Sequence, residues 1–277
     1  MRRMHRHRFT VLSTPRLLVV GLMFFGMACH RQISAPAPAP ARVPARPKPE
    51  PPSSAIASAT ALLDAMHDRY AGHWFHTLAF TERTTVSLSS GGQLAQSWTG
   101  TEDLPGRQRI DTDVASNSGM LYVHDSTYTF ANGRLTNAAQ RTNQLLVLGG
   151  DVYTQPPART AAELRALGFD LFRFHETTWH GDPVYVVGAL RGDSLSKQFW
   201  VDRDRLLVVR VLERTSQGRT DLRLSDFRRV GDGWVAGQVI QYVNGKRRVT
   251  EMYDDLRADV PVSDAMFDPR RWRDGHT

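Results

Sequence analysis

The sequence predicts a mainly β fold with small helices (α+β): a curved antiparallel sheet, or unclosed β-barrel, covered on its inner face by about three helices. Three observations predict it. Residues Gln198 to Tyr253 alternate strand-like runs with the turns Ser216-Gln217-Gly218, Gly231-Asp232-Gly233 and Asn244-Gly245, the spacing of consecutive hairpins in one sheet. A first block of about five strand candidates precedes them. An amphipathic helix at the front and two helical insertions between the blocks supply the apolar faces that such a sheet needs as cover.

Residues 1–28 read as an export signal, with a basic start (Arg2, Arg3, Arg6, Arg8) and an apolar run from Leu17 to Ala28. That run is about 12 residues, short of the roughly 20 a membrane-spanning helix needs. Cys29 follows it and is the one cysteine of the chain, so no internal disulfide forms. Its place after Gly26-Met27-Ala28 resembles a bacterial lipoprotein processing site, which implies a lipid-modified Cys29. Plain secretory cleavage near Ala28, leaving a free thiol, stays open. His30 stands where an inner-membrane retention signal has Asp, so the expected address is the outer membrane, facing the periplasm.

The rest of 29–54 is a tether. Ala35-Pro36-Ala37-Pro38-Ala39-Pro40 and the Pro-rich run after it bury no core and favour extended polyproline II. At about 3.1 Å per residue it reaches up to roughly 75 Å. The net charge of +7 belongs to this front end: from Ala55 onward the chain has 26 basic and 27 acidic residues. The domain at 55–277 is therefore near neutral, and no nucleic-acid partner is expected.

Within that domain, Ala55 to Tyr70 repeats apolar residues every three to four positions, with Ser53 or Ser54 available as cap, and predicts a helix. His76 to Leu88, Gln93 to Asp103, Arg107 to Asp113, Met120 to His124 and Tyr128 to Phe130 predict strands. In the fourth, Met120 and Tyr122 alternate with Leu121 and Val123, so both faces are partly apolar. Asn143 to Leu148 and Thr160 to Leu167 predict short helices, the second preceded by Pro156-Pro157 and stopped by Gly168. Strands resume at Leu171 to Trp179 and Val184 to Leu190 and lead into the hairpins of Gln198 to Tyr253.

Phe199-Trp200-Val201-Asp202, Leu207-Val208-Val209-Arg210, the run Asp226 to Val235 and the closing Met266-Phe267-Asp268-Pro269 resemble the C-terminal half of the bacterial lipoprotein-carrier superfamily, the LolA/LolB-like outer-membrane lipoprotein-sorting fold. His180-Gly181-Asp182-Pro183-Val184-Tyr185 is similar to the hairpin just upstream in that family. The resemblance implies an unclosed antiparallel barrel with helices over an apolar cavity. It also implies lipid or lipoprotein acyl chains as partners, and a role in envelope transport.

The sequence offers little catalytic chemistry. His175-Glu176-Thr177-Thr178-Trp179-His180 is one residue too long for the zinc-protease helix, and its Thr-Thr-Trp favours a strand. His67, Asp68, His73 and His76 have no recognisable ligand spacing, and Asp202-Arg203-Asp204 reads as a turn. There is no nucleophile elbow, phosphate loop or dinucleotide fingerprint, so no enzyme, cofactor or metal is expected. The candidate cavity residues are Trp74, Phe80, Trp98, Tyr122 and Phe130 from the first half, with Phe199, Val209, Val211 and Val239 from the second. Each alone suits an ordinary core; together, under a curved sheet, they suit a space for an apolar ligand. The alternative is a structural or sensory envelope lipoprotein with a filled core that binds a protein partner.

Overall fold

A computed structural model describes residues 56–88 and 90–274, and the expected signal, Cys29 and tether lie outside the described residues. Helix α1 (Ala59–Tyr70) opens the domain, and Ser58 caps it by accepting from the Ala61 N–H at 3.1 Å. The cap is thus Ser58 and not the expected Ser53 or Ser54. The stripe of Leu62, Leu63, Met66 and Tyr70 faces inward, as its spacing requires.

Six strands follow: β1 (Thr77–Ser87), β2 (Gln93–Asp103), β3 (Arg107–Asp113), β4 (Ser118–Val123), β5 (Ser126–Ala131) and β6 (Arg134–Gln140). Then come α2 (Gln144–Leu146), a π-helical turn (Val147–Asp151), α3 (Val152–Thr154) and α4 (Pro157–Ala166). Seven more strands complete the sheet: β7 (Phe174–Trp179), β8 (Asp182–Val187), β9 (Gln198–Asp202), β10 (Val208–Thr215), β11 (Gly218–Val230), β12 (Gly233–Val243) and β13 (Lys246–Ala258). Three expectations shift. Strand β6 was not foreseen, because every residue of it is exposed and it carries no apolar alternation. Helix α4 starts earlier, with Pro157 inside its first turn, where a missing N–H costs nothing. β7 starts at Phe174, since Asp170 to Arg173 form a turn.

All 13 strands form one antiparallel sheet in the order β6-β5-β4-β3-β2-β1-β13-β12-β11-β10-β9-β8-β7. The edges β6 and β7 do not pair, so the sheet is curved and unclosed, as predicted. Each half is a meander, and the two meet where β1 pairs with β13, from Leu78 opposite Ala258 to Val86 opposite Val249.

Register separates the two faces, because residues directly opposite point to the same side. Phe80, Gly100, Ile110 and Met120 form one row across β1 to β4, on the helix side. Gly100 leaves room for the Phe80 ring, which lies where a Cβ would be. Under the helices, the half of this face formed by β8 to β10 is filled: Val187, Phe199, Val201 and Val211 meet Leu62, Met66 and Leu164, all at 1% exposure or less. Hydroxyl bonds fasten the cover, Tyr70 donating to the Arg205 carbonyl (2.6 Å) and Tyr153 to that of Leu206 (3.1 Å). Asp151 in the π-turn accepts from the Gly106 N–H at 2.9 Å and anchors the helical insertion to the β2–β3 turn.

The opposite face has its own small core. The C-terminal 3₁₀ turns Asp264–Phe267 and Pro269–Asp274 fold across β3 to β5 and bury Phe267 and Trp272 against Leu121 and Phe130. This explains the two-sided apolar pattern of β4. Trp272 lies parallel to Phe130 at 4.3 Å and under the Arg109 guanidinium at 3.8 Å. Arg109, 1% exposed, is held by Asp111 at 2.9 and 3.0 Å and by the Trp272 carbonyl at 3.1 Å. Replacing Trp272 empties the stack and uncovers a buried cation. Trp272→Ala is expected to cost about 3–5 kcal/mol, read from urea unfolding, whereas a loss under about 1 kcal/mol would show the C-terminal turns to be dispensable.

Candidate functional site

Toward β1–β4 and β13 the helix-side face changes character. Phe80 and Glu82 on β1 are buried, as is Thr84, while Trp98, Met120, Tyr122, Glu251 and Tyr253 on the same face keep part of their surface accessible. Glu82 stands opposite Trp98 on one side and Tyr253 on the other, and Thr84 stands opposite Glu251. Strand alternation thus sets three carboxyls, Glu82, Glu102 and Glu251, among aromatic rings.

Their hydrogen bonds are local. The Thr84 hydroxyl donates to Glu82, the Tyr253 hydroxyl to Glu251 at 3.1 Å, and Gln108 Nε2 to Glu102 at 2.7 Å. Asn143 donates to Gln108 at 2.9 Å and Gln144 to Glu213 at 2.9 Å, so the chain entering α2 bridges from β3 to β10 across this face. Among the described residues no Arg or Lys forms an ion pair with Glu82, Glu102 or Glu251.

The electrostatics follow. Burial pushes the Glu251 carboxyl up to about 8, reinforced by the charge of Glu82 and opposed by the Tyr253 bond. Burial pushes Glu102 to about 7, against the bond from Gln108, and raises Glu82 as well. The Tyr253 hydroxyl is raised well above the usual phenol range, by burial and then by Glu251 and Glu82. Glu102, Glu251 and Tyr253 are therefore strongly desolvated while retaining accessible surface. With Trp98, Met120 and Tyr122 they make a partly accessible, weakly solvated patch of the helix-side face, the recess.

The expected cavity residues divide accordingly. Phe80, Trp98 and Tyr122 belong to the recess wall, and Val239, opposite Glu251, faces the same side. Trp74, Phe199 and Val211 lie in the filled half; Trp74 stacks on Tyr153 at 4.0 Å and Phe199 meets Phe169 edge-on at 5.3 Å. Val209 sits at the irregularity between β9 and β10, outside the helix-side cluster. Phe130 requires correction: its alternation on β5 turns it to the opposite face, onto Trp272, where it cannot line the recess. The residues that sequence reasoning missed are Glu82, Glu102, Glu251 and Tyr253. Nothing local marks them, because a carboxylate in a strand reads first as solvent-facing.

The other clusters resolve simply. His175 lies on β7 and His180 in its turn, and Asp202 accepts from the Arg205 N–H at 2.6 Å in a tight turn. No group of three or more His, Cys, Asp or Glu among the described residues is arranged to hold a metal. A concavity of about 210 Å³ opens on the opposite face under the β8–β9 loop, bounded by His175, Trp200, Arg210 and Arg219.

No family model matches the chain, and no curated protein matches it. Solved structures do. A proposed outer membrane lipoprotein-sorting protein domain from Vibrio parahaemolyticus aligns at TM-score 0.54 and 11% identity, over 77% of this chain and 97% of that one. A DUF1329 family protein from Desulfovibrio piger aligns at TM-score 0.51 and 14% identity, over 76% and 95%. The curved open sheet with its inner helices is thus a fold that this chain shares with these two solved structures.

Proposed function

We propose that the recess binds an acyl chain of a lipid or lipoprotein, and that the protein is a lipid-anchored carrier or receptor of the bacterial envelope, exposed to the periplasm. The observation that carries this reading is a partly accessible wall of aromatic rings, Trp98, Tyr122 and Tyr253, on the helix-side face of an unclosed sheet, among carboxyls that none of the described cations pairs. An acyl chain entering it gains about 0.8 kcal/mol per buried methylene. Glu251, raised to about 8, offers an O–H donor at neutral pH to an ester or amide carbonyl at the head of the chain. The signal, Cys29 and tether expected from the sequence would hold the domain near the outer membrane. The role is binding and not catalysis.

A second reading is favoured by the filled half under α1 and α4, where Phe199 and Val201 are 0% exposed. It makes the domain an envelope structural or sensory module that binds a protein partner. Native mass spectrometry of protein purified from a bacterial membrane fraction separates the two: acyl lipid should be retained and exchangeable. Trp98→Ala with Tyr122→Ala should weaken that retention by about tenfold or more, each ring contributing roughly 1–2 kcal/mol of contact. Lipid-free protein that takes up no fatty acid would leave the second reading standing.

The recess carboxyls also fix a pH dependence. Glu251 has a folded pKa of about 8 against 4.5 in a free chain, so the folded state binds more protons between those values. Its contribution is present below the unfolded value and is lost as pH rises through about 8. The melting temperature should fall by several degrees between about pH 6 and about pH 9, at about 2–4 °C per kcal/mol for a domain of this size. Glu251→Gln should flatten that slope. An uncharged acyl chain desolvates the carboxyls further, so its affinity should fall over the same rise in pH; affinity that increases with pH would point to a cationic ligand instead.

A further inference from the structure

Among the described residues five large apolar side chains are exposed, and three of them crowd one end of the β7–β8 hairpin: Phe172 at 95%, Leu190 at 61% and Leu195 at 64%. They belong to two loops, residues 170–173 and 188–197, that are tied together. The Gly188 N–H donates to the Arg173 carbonyl at 2.9 Å. The Arg173 guanidinium reaches Asp170 at 2.9 Å, Ser196 at 3.3 Å and Asp193 at 3.6 Å. Asp193 accepts in turn from the Leu195 and Ser196 N–H groups at 2.8 and 3.0 Å. The apolar tips therefore project from a braced frame.

They project although core was within reach. Phe169 and Leu171, on either side of Asp170, are buried, while Phe172 in the next position is turned outward. Charge at the rim is unbalanced. Asp170 and Asp193 are both engaged by Arg173, whereas Arg191 donates to the Glu176 carbonyl at 2.6 Å and Arg165 stands exposed at the end of α4. Neither of these two arginines forms an ion pair with a carboxylate among the described residues.

Singly protruding apolar side chains among arginines suit a fluid, anionic surface better than a shaped protein groove, because each tip needs only to leave water. We propose that this loop pair docks on an anionic bilayer, with Phe172, Leu190 and Leu195 entering the boundary between headgroups and acyl chains and Arg191 and Arg165 facing lipid phosphates. The proposal rests on this surface alone and is independent of what the recess holds. It gives the domain a fixed orientation on the membrane, with the β7–β8 turn about 20 Å from the bilayer, the length of a six-residue strand.

The test places one environment-sensitive fluorophore on the full chain. Phe172→Cys or, at the far turn of the same hairpin, Asp182→Cys is introduced beside Cys29→Ser, so that the label is unique. With vesicles of phosphatidylethanolamine and phosphatidylglycerol, the label at 172 should shift to the blue and be quenched severalfold more than the label at 182 by a nitroxide in the lipid. Leu190→Ser with Leu195→Ser should weaken that quenching. These two leucines are exposed, so their loss leaves the fold intact, which the unchanged melting temperature verifies. Equal quenching at 172 and 182, none at 172, or insertion as strong into phosphatidylcholine as into the anionic vesicles would overturn the proposal. A label at 172 that stays in water while cross-linking to a protein in cells would assign the loops to a protein partner instead.

Discussion

The β1–β13 ladder is the constraint on which the rest depends. Each meander closes through short hairpins, but the two halves share one sheet only because β1, at the start of the domain, pairs with β13 near its end. Loop closure over that separation costs only logarithmically more than over a short loop. The return comes from two long strands and from what they bring together: Glu82 and Tyr253 meet across this ladder, and so do Thr84 and Glu251. The seam that unites the halves is thus also the floor of the recess.

A sheet of 13 strands needs cover on both faces, and the chain supplies different amounts. The helix side receives α1, the α2–α3 segment and α4, which pack densely over β8 to β10 and sparsely over β1 to β4. The opposite side receives the C-terminal turns, which protect β3 to β5 with Phe267 and Trp272. The helices leave the two ends of the inner face unequal: the residues over β8 to β10 are fully buried, whereas Trp98, Met120, Tyr122, Glu251 and Tyr253 on β2, β4 and β13 stay partly accessible.

Much of this was legible in the residues. Turns such as Asn244-Gly245 carry their own backbone chemistry, with positive φ at both positions, and they fixed the hairpins. The stripe of α1 and the two-sided pattern of β4 were equally plain. What escaped had no local signal. Strand β6 is exposed throughout, so only its pairing with β5 defines it. Phe130 looked like cavity lining because parity on a six-residue strand does not say which face is concave, and only its contact with Trp272 does. The carboxyls of the recess were invisible for a related reason: their neighbours come from β1, β2 and β13, and burial is a property of that assembly.

The two faces of the sheet treat buried acids in opposite ways. On the outer face Asp221 lies between Arg210 and Arg223, each at 2.8 Å. Burial pulls its carboxyl upward, but the two guanidinium bonds outweigh that and hold it below the usual range. Asp111 likewise meets Arg109. On the inner face Glu82, Glu102 and Glu251 have only a hydroxyl or an amide each, and all three are raised. Among the described residues the sheet gives arginine partners to Asp221 and Asp111 and none to Glu82, Glu102 or Glu251. An ionised cluster there would cost several kcal/mol per charge, and with no cation to offset that cost burial shifts these carboxyls toward the protonated form. The outer face offsets the same cost with guanidinium partners, so Asp221 keeps its charge to lower pH while the inner acids give theirs up as pH falls.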